Sequence, residues 1–391
     1  MQISPDMEKL KKDLLRKYFV FYLLLFFALF ISIAVMEIIT KNYINKRIQV
    51  YEAMQNKDVF RYYNDKNIIE FKNKYKDRLS HLRDPSFVRS KEALPSELLF
   101  SVVRPFSKNN NQNILIQGDS WAQAARVSQS FLKKTSEKNH IGLVNAGISS
   151  YSPSPMTIQL DILRDEFDIH PTIIIGIIDQ TDIGDELFRY TYQHENKTGR
   201  LRSLLPKGTT QSEKTQVMER KINFNSSDFA IVKFLNLAIL HIKSRYLNRK
   251  LPKLNQNTKT ILSPLINGLD SPSAKYFFIR LNRYIETVFS DSEIKKLILV
   301  THPHKNHLVG NNNHKSFKGE VGTLVNQVAS KSSYKKKIIH IDFLKSEKSK
   351  FLIKNLETVF VKNDPFSHLT NKMYSDYYYP YIFSKLKELY N

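Results

Sequence analysis

The chain has 391 residues, 41% of them apolar and 25% charged, a composition that is typical of globular proteins and excludes intrinsic disorder. Lysine and arginine outnumber aspartate and glutamate by 60 to 37, and the net charge of +23 is compatible with a polyanionic partner, an acidic membrane surface or merely a basic overall composition. The absence of cysteine excludes disulfides and thiolate metal sites.

The first predicted element is a membrane anchor. Residues 18–36, YFVFYLLLFFALFISIAVM, carry no charge. At about 1.5 Å per residue, a helix of this length reaches roughly 29 Å, close to the hydrocarbon thickness of a bilayer. No small-residue cleavage pattern follows, so we expect an uncleaved transmembrane helix over residues 18–40 rather than a signal peptide or a buried core helix.

The charges around this helix predict its orientation. The residues before it include Lys9, Lys11, Lys12, Arg16 and Lys17 against Asp6, Glu8 and Asp13. This bias predicts a cytoplasmic tail over residues 1–17 and a single-pass protein of the cytoplasmic (inner) membrane, with the remainder in the periplasm or outside the cell. Lys41, Lys46 and Arg47 directly after the span weaken the bias.

Residues 41–110 are polar, charged and rich in tyrosine, and their helical spacing predicts a stalk or cap. From residue 111 strands and helices alternate. The predicted strands are NILIQ, IGLVNAG, PTIIIGII, KLILVTHP and KKIIHIDF, and the predicted helices include AQAARVSQSFLKK, SPMTIQLDILRDEF and GEVGTLVNQVAS. This order predicts an α/β domain over residues 111–391, a three-layer doubly wound parallel sheet of flavodoxin-like type with functional residues at the carboxyl ends of its strands.

An insertion at about residues 190–275 interrupts the alternation, and we expect it to be mainly helical. It contains DFAIVKFLNLAILHIKSRYLNRK, a predicted helix that is apolar for two thirds of its length and basic at its end. Packing against the core and lying in a membrane interface are both compatible with this pattern.

The stretch NILIQGDSW ends a strand on Gly118, Asp119 and Ser120. A hydroxyl at the carboxyl edge of a parallel sheet, beside the start of a helix, can act as a nucleophile where backbone N–H groups stabilise an anion. The alternative is that Ser120 or Asp119 only caps the helix.

Two later stretches bear on this choice. Gly147 follows the next strand in VNAGISSYSPS, where glycine permits close approach of a backbone N–H to a ligand. Asp364 and His368 lie in NDPFSHLTNKMY, just before the last predicted helix. A hydroxyl nucleophile needs a nearby base and the base needs an orienting acid, so Ser120, His368 and Asp364 form a possible triad.

The segments GDSW, NAGISS and NDPFSHL, in this order, resemble the nucleophile, glycine and final acid–histidine blocks of the SGNH (GDSL-type) hydrolase family. The resemblance covers about residues 111–391 without the insertion. It implies that Ser120 is the nucleophile and His368 the general base, and that the N–H groups of Ser120 and Gly147 donate to an oxyanion. It implies no cofactor.

Two features depart from that family. Asp364 and His368 are four positions apart, where three is usual, and Pro365 stands at the usual acid position. The asparagine expected after the third strand is also missing, because the segment reads GIIDQTDIGDEL. An ionised Asp179 or Asp182 would repel an oxyanion, so they are at most supporting acids.

Gln180 or Thr181 could instead donate to an oxyanion. The acid-rich run itself resembles a subgroup of membrane-anchored members associated with bacterial surface glycans. Apart from that resemblance, the run fits the acidic first turn of a helix better than a divalent-cation site.

Other ligands are not expected. His302, His304, His307 and His314 invite a zinc interpretation, but no carboxylate or thiol lies between them, so a loop is the favoured interpretation and no metal is predicted. The chain has only 11 glycines and no phosphate-binding glycine loop, which argues against a dinucleotide-binding site. Nucleic acid is an improbable partner for an outward-facing domain.

Together these patterns predict a serine-dependent acyl-ester hydrolase that acts outside the cytoplasmic membrane on an acylated glycan or lipid. An O-acyltransferase that modifies a cell-surface polysaccharide uses the same residues. A catalytically inactive module that binds a glycan is a further alternative. The acyl group, the exact substrate and the oligomeric state stay open.

Overall fold

The computed structural model describes residues 5–51, 66–83, 94–194, 201–206, 269–308, 320–362, 364 and 366–388. The chain divides into two compact units. One consists of Met1–Arg61 and Gln211–Pro252, and the other of Tyr62–Thr210 and Lys253–Asn391.

The described part of the first unit is a single helix, α1, over Pro5–Tyr51. Within it, Leu14–Lys41 is long and apolar enough to cross a membrane, with a mean hydropathy of 2.8 and no buried residue in its most apolar window. The predicted helix over 18–40 is therefore confirmed as a helix. Its membrane span, its retention as an anchor and its orientation stay predictions, because a signal sequence has the same length and composition.

The second unit contains a six-stranded sheet with the order β1-β3-β2-β4-β7-β8. All neighbouring strands are parallel except β1, which runs antiparallel to β3. The strands of this sheet are β1 (Ser101–Arg104), β2 (Gln112–Gly118), β3 (Ile141–Asn145), β4 (Ile173–Ile177), β7 (Lys296–Thr301) and β8 (Ile338–Asp342). The five predicted strands are thus all present.

Helices surround this sheet. In chain order they are α2 (Lys66–Tyr75), α3 (Ser120–Gln123), α4 (Gln129–Lys138), α5 (Pro153–Phe167), α6 (Asp182–Phe188), α7 (Pro272–Phe289), α8 (Lys305–Leu308), α9 (Glu320–Lys331), α10 (Lys348–Lys354), α11 (Leu356–Val359), α12 (Asn371–Met373) and α13 (Tyr379–Lys387). Short 3₁₀ helices occupy Pro95–Leu98, Ala124–Ser128 and Lys335–Lys337, and a π-helical turn occupies Tyr374–Tyr378.

Alternate side chains of each strand belong to different hydrophobic clusters, because successive side chains of a strand point to opposite faces. In β2, Leu115 belongs to one cluster, while Ile114 and Ile116 belong to the other. Helices α5, α7 and α9 contribute to the first cluster, and α4 and α13 contribute to the second. Both faces of the sheet are therefore covered, which confirms the predicted three-layer α/β fold.

Three local features differ from the sequence interpretation. Residues 101–104 form the antiparallel edge strand β1, although they fall inside the segment predicted as a helical stalk or cap. The boundaries of that stalk stay a prediction. The described residues of the insertion form an antiparallel pair, β5 (Tyr190–His194) with β6 (Leu201–Pro206), and the first turn of α7. The helix predicted over residues 228–250 lies outside the described residues.

The third difference concerns the chain directly after the nucleophile candidate. The helix predicted over residues 122–134 is divided into the four residues of α3, a 3₁₀ turn and α4. A helix of one turn has a weaker dipole than the long helix expected from the sequence. Charge stabilisation at Ser120 therefore has to come mainly from individual donors.

The strand register brings the predicted site segments to one edge. Gly118 pairs with Ile177 across β2 and β4, and Ile116 pairs with Asn145 across β2 and β3. The segments that follow these strands therefore leave the sheet side by side at its carboxyl edge.

Candidate active site

The turn after β2 is built around a glycine and a buried carboxylate. Gly118 has a φ of +138°, a backbone conformation that residues other than glycine rarely adopt. Asp119 is 1% exposed, and its Oδ1 accepts a hydrogen bond from the Trp121 N–H at 2.9 Å. Asp119 is thus the N-cap of α3, so the hydroxyl of Ser120 is not required for capping.

Ser120 lies in a hydrogen-bonded chain with His368 and Asp364. The Ser120 Oγ is 2.7 Å from the His368 Nε2, and the His368 Nδ1 is 2.6 Å from the Asp364 Oδ2. The Ser120 Oγ also lies 3.3 Å from an oxygen of Asp119, a longer contact than that to His368. Residues 248 positions apart in the chain thus meet in the arrangement of a nucleophile, a base and an orienting acid.

The loop that carries His368 accommodates the unusual four-residue spacing. Ser367 adopts a left-handed conformation with a φ of +55°, which takes up the additional residue. The loop is closed by hydrogen bonds between Val361 N–H and His368 C=O at 2.8 Å and between Thr370 N–H and Val359 C=O at 2.9 Å. Asp364 can therefore reach the ring of His368 although an acid three residues before it is missing.

Hydrogen bonding sets the protonation of this pair. Burial acts to raise the pKa of the Asp364 carboxyl, but hydrogen bonds from the backbone N–H groups of His368 and Phe366, together with the His368 ring, lower the pKa below its usual value. An ionised carboxylate can only accept hydrogen bonds, so the proton between these groups belongs to Nδ1 of His368. In this tautomer Nε2 is the ring nitrogen that faces the Ser120 hydroxyl, at 2.7 Å.

The glycine loop after β3 packs directly against the turn that carries Ser120. A Cβ atom on Gly147 would overlap the backbone of Ala122 and Gln123, so only glycine fits there. The Gly147 N–H, predicted as an oxyanion donor, donates at 2.9 Å to Asn145 Oδ1 in this structure. Its role at an oxyanion stays a prediction and requires Asn145 to release it.

A segment N-terminal to the predicted catalytic domain supports the same loop. Arg83 is buried and donates from Nη2 to the Asn145 carbonyl at 2.7 Å and from Nε to the Gly147 carbonyl at 2.9 Å. The ring of His81 hydrogen-bonds the Ser149 carbonyl at 2.7 Å through Nε2. Burial, followed by the charge of Arg126, lowers the pKa of Arg83 to about 9, so the guanidinium remains charged near neutral pH.

The segment after β4 holds a second acid–imidazole pair. Asp179 Oδ1 lies 2.6 Å from Nε2 of His304, and Asp179 Oδ2 accepts hydrogen bonds from the Thr181 hydroxyl at 2.6 Å and the Thr181 N–H at 3.1 Å. Burial opposes ionisation of Asp179, but the charge and hydrogen bond of His304 and the Thr181 hydrogen bonds lower its pKa to about 2.

The surroundings act in the opposite direction on two neighbouring acids, Asp119 and Asp182. Burial, and then repulsion from Asp179, raises the pKa of Asp119 well above its ordinary value. Burial and repulsion from Asp119 and Asp179 likewise raise the pKa of Asp182, which begins α6. Among Asp119, Asp179 and Asp182, the surroundings therefore favour the ionised form only of Asp179, which is the one that pairs with His304.

Trp121 contacts both imidazoles of the site. Its ring centroid lies 6.2 Å from that of His368 and 6.3 Å from that of His304, with the His304 ring nearly parallel at 12°. His302 packs on the same indole at 4.8 Å. Two of the four histidines considered as zinc ligands are thus buried ring partners of Trp121.

The other two histidines, His307 and His314, lie where the structure describes no side chain. Within the described residues no group of three His, Asp or Glu side chains is arranged to hold a metal ion. The absence of a metal and of a cofactor stays a prediction.

Sequence reasoning missed three residues of this site. Arg83 and His81 belong to the segment predicted as a stalk, where no motif marks them. His304 was interpreted as part of a solvated loop because it is surrounded by Lys and Asn in the sequence. The only available signal was its position, three residues after the end of β7 and therefore at the carboxyl edge of the sheet.

No protein-family model matches the chain, and no curated protein matches it. Among solved structures, Axe2, an acetylxylan esterase from Geobacillus stearothermophilus, is 12% identical over 70% of this chain and 94% of its own, with a TM-score of 0.36. LAE5, an alpha/beta hydrolase enzyme from the metagenome of Lake Arreo, Spain, is 11% identical over 68% of this chain and 92% of its own, with a TM-score of 0.35. At this identity and TM-score the likeness does not indicate a shared activity.

Proposed function

We propose that this chain is a serine-dependent acyl-ester hydrolase of the SGNH type. The observation that carries the proposal is the hydrogen-bonded chain from Ser120 through His368 to Asp364, with distances of 2.7 and 2.6 Å. The motif resemblance of GDSW, NAGISS and NDPFSHL to that family supports the same assignment.

In the proposed reaction Ser120 Oγ forms a bond to the carbonyl carbon of an ester while its proton moves to Nε2 of His368. The electron pair of the carbonyl π bond moves to the oxygen, and donors from the loops after β3 and β4 stabilise this charge. When the carbonyl re-forms, the bond to the leaving alcohol oxygen breaks and this oxygen takes the proton from His368. Asp364 stabilises the imidazolium throughout, and an acyl-enzyme on Ser120 remains.

Water completes the hydrolysis of this acyl-enzyme. It gives one proton to His368 and attacks the acyl carbon, and Ser120 Oγ leaves and recovers the proton, so that a carboxylic acid is released. A sugar hydroxyl in place of water would give an O-acyltransferase with the same residues. We propose an acylated glycan or lipid as the substrate, since a domain tethered outside a membrane meets these esters, and a net charge of +23 favours an anionic one.

A serine-directed fluorophosphonate tests the proposal on the full chain in detergent. We expect covalent labelling of the wild-type protein, none of Ser120→Ala, and undiminished labelling of Ser130→Ala, which removes an exposed hydroxyl of α4. A folded wild-type protein that is neither labelled nor able to cleave p-nitrophenyl acetate would contradict the enzyme and favour a glycan-binding module. Mass analysis of products formed with an added oligosaccharide separates hydrolysis from transfer.

We further propose that α1 anchors the protein in the cytoplasmic membrane, with the α/β unit outside the cytoplasm. The proposal is supported by the apolar segment Leu14–Lys41 and by the basic residues that precede it. A reporter that is active only outside the cytoplasm, fused after Asn391, should be active. Activity of a cytoplasm-specific reporter at the same position would reverse the orientation.

A further inference from the structure

The loops after β3 and β4 contain several candidate donors for an oxyanion, and most are already engaged. The Gly147 N–H donates to Asn145 Oδ1 at 2.9 Å. The hydroxyl and the N–H of Thr181 both donate to Asp179 Oδ2, at 2.6 and 3.1 Å. Thr181 would have to give up a bond to an ionised carboxylate before it could serve another anion, which makes it a poor donor.

Gln180 differs from these residues. It is 1% exposed, and neither its amide nitrogen nor its amide oxygen has a hydrogen-bond partner in the described part of the chain. A buried primary amide without a partner costs free energy, so such groups usually have a ligand or another purpose. Gln180 follows the end of β4 by three residues, and Ser120 follows the end of β2 by two, and these two strand ends are neighbours because Gly118 pairs with Ile177.

The backbone around Gln180 is held by the carboxylate of Asp179. This carboxylate accepts a hydrogen bond from the Thr181 N–H. Gln180 therefore lies in a turn that is closed by a hydrogen bond between its two neighbours. The other oxygen of Asp179 is held at 2.6 Å by His304, which follows β7. His304 is 4% exposed and is wedged against Trp121, the residue after the nucleophile.

We infer that Gln180 donates the side-chain hydrogen bond to the developing oxyanion, and that His304 positions it by holding Asp179. The inference rests on the proposed acyl-ester hydrolysis at Ser120. An amide N–H₂ replaces the missing asparagine of the family segment with a donor of the same type. The His304 imidazole compensates the charge of the Asp179 carboxylate, which would otherwise repel the oxyanion. An acid can therefore stand at this edge of the sheet, where the family has an amide.

The test measures kcat and KM for p-nitrophenyl acetate with the full chain in detergent. Gln180→Ala should lower kcat by about 10²- to 10³-fold and leave KM within about twofold, since the donor acts in the transition state. Gln180→Glu, which keeps the shape but removes the donor, should be at least as slow.

His304→Leu should lower kcat by about 10- to 100-fold, and His304→Gln, which retains an N–H donor, should restore part of the rate. His340→Leu is the matched control. His340 is a partly buried histidine of β8 whose ring hydrogen-bonds Thr301, and its replacement should leave kcat unchanged.

A double variant separates positioning from general structural damage. If His304 acts through Gln180, His304→Leu should have little further effect on kcat in the Gln180→Ala background. Equal effects in both backgrounds would overturn the positioning role of His304. Wild-type kcat in Gln180→Ala, while Ser120→Ala is inactive, would overturn the inference and leave the hydrolase intact. Full hydrolysis by Ser120→Ala would overturn the proposed function itself, and this inference with it.

Discussion

The guanidinium of Arg83 donates from Nε to the carbonyl oxygen of Gly147 at 2.9 Å, and thereby joins a segment that precedes β1 to the glycine loop beside Ser120. A second bond, to Asn145, fixes the other end of the same loop. The buried cation therefore holds a backbone segment whose geometry the proposed chemistry requires.

We expect Arg83→Met to lower the free energy of unfolding by about 3 kcal/mol, because it leaves two buried carbonyl groups without their charged donor. It should also lower kcat, and Arg83→Lys should restore little, since an ammonium cannot span both carbonyls. Arg104→Met removes a comparable bond, to the Ser136 carbonyl at 2.7 Å, at the end of β1 that pairs with Leu143 and not with Asn145. This control should affect stability but not kcat, and equal kcat values for Arg83→Met and wild type would refute the prediction.

Asp364→Asn should lower kcat for ester hydrolysis by about 10³- to 10⁴-fold, because an amide no longer holds the protonated Nδ1 of His368 in the required tautomer. The measurement is steady-state hydrolysis of p-nitrophenyl acetate. Asp376→Asn, which alters an exposed acid on the following π-helical turn, should retain the wild-type rate. Retention of full activity by Asp364→Asn would show that another group orients the histidine.

Gly147→Ala should lower the free energy of unfolding by about 1–3 kcal/mol, because the added methyl group overlaps the backbone of Ala122 and Gln123. Gly176→Ala is the control, since its nearest neighbour would be a flexible end of Leu299 at 3.3 Å. Urea unfolding measures both variants. If the two alanine variants are equally stable, the close packing of the loop on α3 is not a constraint.

Asp179 should contribute to the pH dependence of stability. Its pKa is lowered from 3.8 to about 2 in the folded chain, so its contribution is present above pH 3.8 and is lost as the pH falls toward 2. The difference corresponds to about 2 kcal/mol. We expect unfolding curves of Asp179→Asn to lack this part of the acid-induced loss of stability. A wild-type and a variant profile of equal slope between pH 4 and pH 2 would contradict the assigned ion pair.

Much of the α/β fold was predictable from local patterns. The apolar β-branched strands at 113–117 and 171–178 alternate with helices, and this pattern alone indicates a parallel sheet covered on both faces. The edge strand at 101–104 was not predictable, since a four-residue strand has little periodicity and is stabilised by pairing with β3. The division of the helix after Ser120 was also missed, because propensity does not report how tightly Gly147 packs on that turn.

At the candidate site, the types of residue were readable but several contacts were not. Ser120 and His368 stand in motifs whose order along the chain is informative. The four-residue spacing between Asp364 and His368 argued against the participation of Asp364. The left-handed backbone conformation of Ser367 compensates for this spacing, and it depends on the contacts of the surrounding loop. His304 and Arg83 carry no motif, so only their distances to Asp179 and Gly147 reveal them.

The sequence by itself determined the apolar N-terminal helix, the layers of the α/β unit and the residues that belong to the strand ends, because these depend on local hydrophobic periodicity. Only the tertiary structure decided which donors at those ends are already occupied and which carboxylate carries a charge. Those properties depend on burial and on the conformation of the loops, and the charge of Asp179 depends on His304, which lies 125 positions later in the chain, so no local pattern encodes them.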